Sequence, residues 1–431
     1  MRFHPERVSR RYFLTGLAAA ASLGTLSRRR AIAQQSGPGS LPAPESSGID
    51  HVVLVMMENR SFDHFLGWLP GANGRQAGLR YPDFTGQLQP THHLTDFQGC
   101  AFQDPDHSYQ GGRIEYDNGK CDGWLRANDV YSIGYYEQSD LAFFGAAAPG
   151  WTVCDNYFAA IMAATYPNRF YQHAAQTDRI GNSSTQSVLP TIWDRLQAAG
   201  LAGKYYFNDL SFLALWGTKY LGISNPFTAF LADCASGNLP QVSFIDPPFE
   251  DETSGTSKDD HPHADIRNGE AFLNEVYRAV TSSPNWPHTL LIINFDEWGG
   301  FFDHVPPPTA PIPPADQLAG NQDGRLGFRT PALLISPWSR RGCVSHIQFD
   351  HTSVLKLIEW RWGLTPLTVR DASANNLAYA LDFEQPNNAA PIYNVPSGPF
   401  GGVCASALPS EEESAWATLQ ALSRSLRFPL L

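Results

Sequence analysis

Lysine is scarce in this chain, five of 431 residues, and methionine scarcer still, with four. So few lysines, with 42 acidic side chains against 30 basic ones, exclude a polyanionic nucleic-acid partner. The apolar run Thr15 to Leu26 has 12 residues, whereas a membrane-spanning helix needs about 20. No later segment is long enough either, which predicts a soluble mature protein. The six cysteines form no C-x-x-C pair, which weighs against a thiolate metal site. They admit disulfides in any of 15 pairings, or a role as buried small side chains. There is no G-x-S-x-G elbow, H-E-x-x-H, P-loop or G-x-G-x-x-G. The usual serine hydrolase, zincin and nucleotide-binding readings therefore fall away. What the chain does hold is 42% hydrophobic and 17% charged residues, enough to bury a large core.

The first 33 residues carry seven Arg and one acid, so the remainder has a net charge of −18. Ser9-Arg10-Arg11-Tyr12-Phe13-Leu14, the apolar run and Ala31-Ile32-Ala33 follow one another as in a twin-arginine leader. This order predicts a signal peptide over 1–33, cleavage before Gln34, the Tat export machinery as a partner, and a periplasmic or secreted product. Residues 34–47 read as a flexible linker and 48–431 as one catalytic domain.

Within that domain, apolar runs predict buried strands at His51–Met57, Val242–Ile245, Thr289–Phe295 and Pro331–Ile335. Helical patterns cover Thr191–Ala199, Gly269–Ser283 and Thr352–Trp362. Strands alternating with helices predict an α/β/α sandwich around a mostly parallel sheet. Residues 70–150 and the proline-rich 301–328 are too long for simple connections and read as long functional loops.

In open α/β sheets, ligands bind beyond the carboxyl ends of the strands. Two predicted strands end in oxygen-rich pairs, Glu58-Asn59 and Asp296-Glu297, the latter followed by Trp298-Gly299-Gly300. Such pairs are hard ligands for a divalent cation, although an acidic pair alone more often caps a helix or forms a turn. In Ala164-Thr165-Tyr166-Pro167-Asn168-Arg169, Pro167 sets Thr165 just before a helix start, where a phosphate is favoured and where Thr is also a common N-cap. His107, His261 and His304 each lie in polar, turn-forming stretches, whereas His351 reads as structural, in the cap region of a helix.

These segments resemble the bacterial phosphoesterase family, which contains non-haemolytic-type phospholipases C and a branch of acid phosphatases and is related to the alkaline phosphatase superfamily. The resemblance rests on Glu58-Asn59-Arg60-Ser61-Phe62-Asp63-His64, Thr165-x-Pro-Asn-Arg169 and Asp296-Glu297-x-Gly-Gly-Phe-x-Asp-His304. It runs from about Ile49 to Leu364 and takes in Asp260-His261-Pro262, Gly269-Glu270 and Asp350-His351-Thr352-Ser353. The resemblance implies one divalent metal ion, held by Glu58, Asn59, Asp296, Glu297 and Thr165, with Thr165 also the nucleophile. It also implies that His107, His261 and His304 contact the phosphate or the leaving group. Oxygen ligands favour Ca²⁺ or another hard cation over structural zinc. Two departures stand out: Trp298 occupies a position that is often His in the family, and the chain ends near 431 without the C-terminal β-domains of many family phospholipases.

Three functions follow. The first is a phospholipase C, cleaving a phospholipid to diacylglycerol and a phosphorylated head group through a phospho-threonine, with transient contact at a membrane surface. An acidic surface suits zwitterionic lipid better than anionic lipid. The second is an acid phosphatase acting on small phosphate monoesters. The third is a non-catalytic exported binding protein, which would have lost Thr165 or an acidic ligand.

Overall fold

Nine strands make one sheet, built by His51–Met57 and its neighbours, in the computed structural model, which describes residues 33–35, 40–250, 254–404 and 411–430. In chain order they are β1 (Ala33–Gln35), β2 (His51–Met57), β3 (Thr152–Cys154), β4 (Gly203–Phe207), β5 (Ser224–Pro226), β6 (Val242–Ile245), β7 (Thr289–Phe295), β8 (Ala332–Ile335) and β9 (Cys343–Ser345). Their spatial order is β1-β9-β3-β8-β7-β2-β6-β4-β5. Only β8 runs antiparallel to its neighbours, β7 and β3. This is the mostly parallel α/β fold expected from the sequence. The expected leader lies outside the described residues apart from Ala33.

Burial on both faces explains the continuous apolar runs. Alternate residues of β2 and β7 point to opposite cores. Val52, Leu54, Leu290 and Ile292 join one cluster, and Val53, Val55, Leu291 and Ile293 the other. The first is covered by α3 (Thr165–Ala174), α4 (Ile192–Ala198), α7 (His351–Trp362) and α8 (Glu411–Ser425). The second is covered by α1 (Phe62–Leu66), α5 (Phe227–Ser236) and α6 (Ile266–Thr281). A short helix, α2 (Gly111–Tyr116), lies in the long excursion at 70–150.

Helix boundaries follow their caps. Thr191 and Asp194 form a capping box for α4, and Asp350 and Ser353 do the same for α7. Helix α6 starts three residues earlier than the apolar pattern predicts, because the Asp265 side chain accepts the Arg267 amide. Residues 40–47 differ from the expected linker: Pro44–Ser46 form a 3-10 turn and Ser47 is buried. A disulfide joins Cys100 to Cys404, and the other four cysteines are buried free thiols, so both cysteine readings hold for different residues. No helix among the described residues is long and apolar enough to cross a membrane.

Candidate active site

Strand register assembles the site. Strands β2 and β7 pair in parallel with Met57 opposite Phe295, so the residues that follow each strand emerge side by side. The Asp296 amide donates to Met57 O at 3.0 Å, and the Asn59 amide donates to Asp296 Oδ1 at 3.2 Å. Asn59 turns the chain with a φ of 59°, a left-handed conformation that Asn tolerates. Glycine is required at 299: its φ is 62°, and a Cβ there would stand 2.0 Å from Asn59 O. The Gly299 amide in turn donates to Glu297 Oε2 at 2.7 Å.

Thr165 is the first residue of α3, so the helix starts one residue earlier than the sequence predicts, and Ala164 is the N-cap. Its hydroxyl does not cap the helix but donates to Glu58 Oε2 at 3.3 Å. The structure pairs the Thr165 hydroxyl with Glu58 and sets the Asn59 amide on Asp296, and these four residues and Glu297 are all fully buried. The helix start offers fewer amides to an anion than expected. The Tyr166 N–H already donates to Asn182 Oδ1 at 2.9 Å, and Pro167 has none.

Arg169, one turn along α3, is the principal counter-charge. Its Nε donates to Glu58 Oε1 at 2.8 Å and lies 3.7 Å from Asp296 Oδ2, and a terminal nitrogen donates to Asp246 Oδ1 at 2.7 Å. Burial lowers the pKa of the guanidinium, but Glu58, Asp246 and Asp296 outweigh burial and raise it above the ordinary arginine value. Burial pushes the Asp246 carboxyl up, against the pull of Arg169. Asp246 directly follows β6, so the strand-end rule that finds Glu58 and Asp296 also reaches it; Arg169 lay unremarked inside a recognised motif. His351, the first residue of α7, is structural, as the sequence predicts. Its Nε2 donates to Asp296 O at 2.6 Å, and burial lowers it to about 4, so a neutral imidazole buttresses that backbone.

The three other histidines separate. His107 lines a cavity of about 870 Å³ together with Ala164 and Asp104. His261 Nε2 lies 3.5 Å from Asp104 Oδ2, which places it beside the same cavity. His304 does not join them. Its Nδ1 meets Asp63 Oδ2 at 2.5 Å and its Nε2 meets Asn73 Oδ1 at 3.1 Å. Asp63, Asp303 and His304 offer ligand atoms within 4.8 Å of one another. Arg329 fills the role of a cation there, at 3.0 Å from Asp303 Oδ1 and 3.1 Å from Asp63 Oδ1. The resemblance implies a phosphate or leaving-group contact for His304; in the structure its ring meets Asp63 of α1 and Asn73.

The expected metal ligands have the donor chemistry of a hard cation: three carboxylates, a carboxamide and a hydroxyl, all oxygen donors and all buried. Among the described residues Arg169 is the guanidinium that reaches Glu58 and Asp296, and it is shared with Asp246.

The Phosphoesterase family matches residues 49–365, which defines the class as a phosphoric ester hydrolase. The chain belongs to the Phosphoesterase family. It is 32% identical to "Phospholipase C B" of Mycobacterium tuberculosis (strain ATCC 25618 / H37Rv), over 89% of this chain and 88% of that protein. It is 30% identical to "Non-hemolytic phospholipase C" of Pseudomonas aeruginosa, over 88% of this chain and 64% of that protein. "Non-specific phospholipase C3" of Arabidopsis thaliana is 29% identical, over 83% and 77%. Among solved structures, the lipoteichoic acid synthase LtaP of Listeria monocytogenes aligns with a TM-score of 0.41 and 9% identity, over 90% of this chain and 93% of that one. A Vibrio parahaemolyticus protein of the alkaline phosphatase superfamily aligns with a TM-score of 0.38 and 10% identity, over 78% and 72%.

Proposed function

We propose that this protein is an exported, metal-dependent phospholipase C that cleaves a phosphodiester through a phospho-threonine at position 165. The observation that carries the reading is the hydrogen bond from Thr165 Oγ1 to Glu58 Oε2, between two fully buried side chains. A threonine hydroxyl is a weak nucleophile near neutral pH and needs a base or a cation beside it. Glu58 Oε2 is placed to take its proton as Thr165 Oγ attacks phosphorus in line, displacing the alcohol. His261, paired with Asp104, donates a proton to the departing oxygen and later takes one from the water that frees Thr165. His107, on the cavity wall, orients the phosphate oxygens.

Glu58, Asn59, Asp296, Glu297 and Thr165 would hold the cation. When bound, it supplies Lewis-acid chemistry, favouring the ionised hydroxyl and offsetting charge on phosphate oxygens. Arg169, hydrogen-bonded to Glu58 and close to Asp296, orients both carboxylates.

An acid phosphatase acting on monoesters is the second reading. It is favoured by the described cavity lining, which includes no Val, Leu, Ile, Phe, Tyr or Trp. Purified mature protein assayed on p-nitrophenyl phosphate and p-nitrophenylphosphorylcholine, with and without chelator, separates the two. Preference for the choline diester supports the phospholipase reading, and preference for the monoester replaces it. Turnover of neither with metal restored returns the binding-protein reading. Export is proposed from the leader, and N-terminal sequencing of secreted protein, expected to begin at Gln34, tests it.

A further inference from the structure

Helix α8 lies beyond the residues matched by the family, yet it reaches the site twice. Trp416 is buried and stacks on Phe249, ring centres 4.3 Å apart and planes 14° from parallel. It also packs on Tyr166 at 5.1 Å, and the Tyr166 hydroxyl donates to Ala415 O at 2.9 Å. Tyr166 adjoins Thr165 in the chain. Phe249 lies 4.6 Å under the Arg169 guanidinium and Trp416 lies 5.8 Å from it, so the two rings close the ion cluster off from water. The other side of the helix faces the cavity: Ser414 and Thr418, four residues apart and both exposed, line it with Ala415.

We infer that α8 is the specificity wall of the active-site cavity, with Ser414 and Thr418 limiting the size of the substituent carried by the phosphate and Trp416 as a positioning residue for Thr165 and Arg169. The inference rests on the reading of Thr165 as nucleophile. It assigns substrate selection to a segment that the family match leaves out, so relatives differing there differ in substrate without differing in chemistry. Because the side chains at 414, 415 and 418 are small, the wall they form sets a generous limit, which a larger side chain there would tighten.

The test compares kcat and KM of wild type, Thr418→Trp, Trp416→Ala and Trp416→Phe on p-nitrophenyl phosphate and p-nitrophenylphosphorylcholine. Thr418→Trp, at an exposed position, is expected to lower the diester-to-monoester ratio of kcat/KM about tenfold or more, chiefly through KM for the diester. Trp416→Ala is expected to lower kcat on both substrates about tenfold, and Trp416→Phe to restore most of it. A ratio unmoved by Thr418→Trp overturns the wall, whether or not Trp416→Ala folds. Full kcat in a folded Trp416→Ala with only a lower Tm overturns the positioning role. A wild type that cleaves neither ester defeats the proposed function itself, and the inference with it.

Discussion

The Thr165 hydroxyl donates to Glu58 Oε2 across 3.3 Å, although 107 residues separate them in the chain. The contact exists because α3 packs on the core face of the sheet beside β2, with its first residue over that strand's carboxyl end. The hydroxyl and the carboxylate thereby meet away from solvent, and the other proposed oxygen ligands, Asn59, Asp296 and Glu297, are buried as well.

Chelation follows directly from that donor set. Dialysis against EDTA is expected to abolish phosphoesterase turnover and to lower Tm, because the cation stabilises the folded form that binds it. Restoring Ca²⁺ and other divalent ions one at a time, with turnover and Tm read together, identifies the ion that fits. Unchanged turnover after exhaustive chelation would contradict a metal-dependent site.

Arg169 balances Glu58 and Asp246 in the interior. Arg169→Leu removes the buried cation that Glu58 and Asp246 share and is expected to cost about 3–5 kcal/mol of stability, read by urea denaturation. Arg169→Leu combined with Asp246→Asn should lose less than the sum of the two single changes, since one unpaired charge is removed with the other. Strict additivity would show that the two side chains do not act as a pair.

Glu270 supplies a pH test away from the proposed ligands. Its Oε2 accepts the Phe144 amide at 3.0 Å, and burial raises its pKa from an ordinary 4.5 to about 8. With the folded pKa above the unfolded one, this group's contribution is fully present below about pH 4.5 and is lost as pH rises through about 8. Glu270→Gln mimics the protonated form, so the stability of wild type relative to the variant should fall steadily across that window. Parallel stability curves would mean that Glu270 is already ionised in the fold.

Trp298, where the family often has His, is wholly buried and donates from Nε1 to Glu115 Oε2 at 2.7 Å. Gly112 makes room for it: a Cβ there would come within 2.7 Å of Met162 Cγ and 2.8 Å of the Trp298 ring. Gly112→Ala is expected to cost about 1–3 kcal/mol by overpacking. Gly112→Ala in a Trp298→His background should cost less than in the parent, because the ring that the methyl meets is gone.

Much of this fold was legible because the central strands are covered on both faces and so appear as unbroken apolar runs. Four of the five proposed metal ligands could be read because they directly follow two of those runs. The parts that could not be read have physical reasons. β3 and β9 are three residues long, too short to show a period, and β5 is Ser-Asn-Pro. The antiparallel direction of β8 depends on a long loop rather than on its own residues. Arg169 and His351 act through groups 111 and 55 residues away, a proximity that only the assembled sheet creates.

The most direct measurement is rapid quench of the enzyme during turnover of p-nitrophenylphosphorylcholine, followed by mass spectrometry of its peptides. The account predicts a phosphate-linked adduct on the peptide bearing Thr165, absent from Thr165→Ala, whose kcat falls about 10³-fold or more. An adduct on another residue, or a Thr165→Ala enzyme turning over at the parental rate, would contradict it.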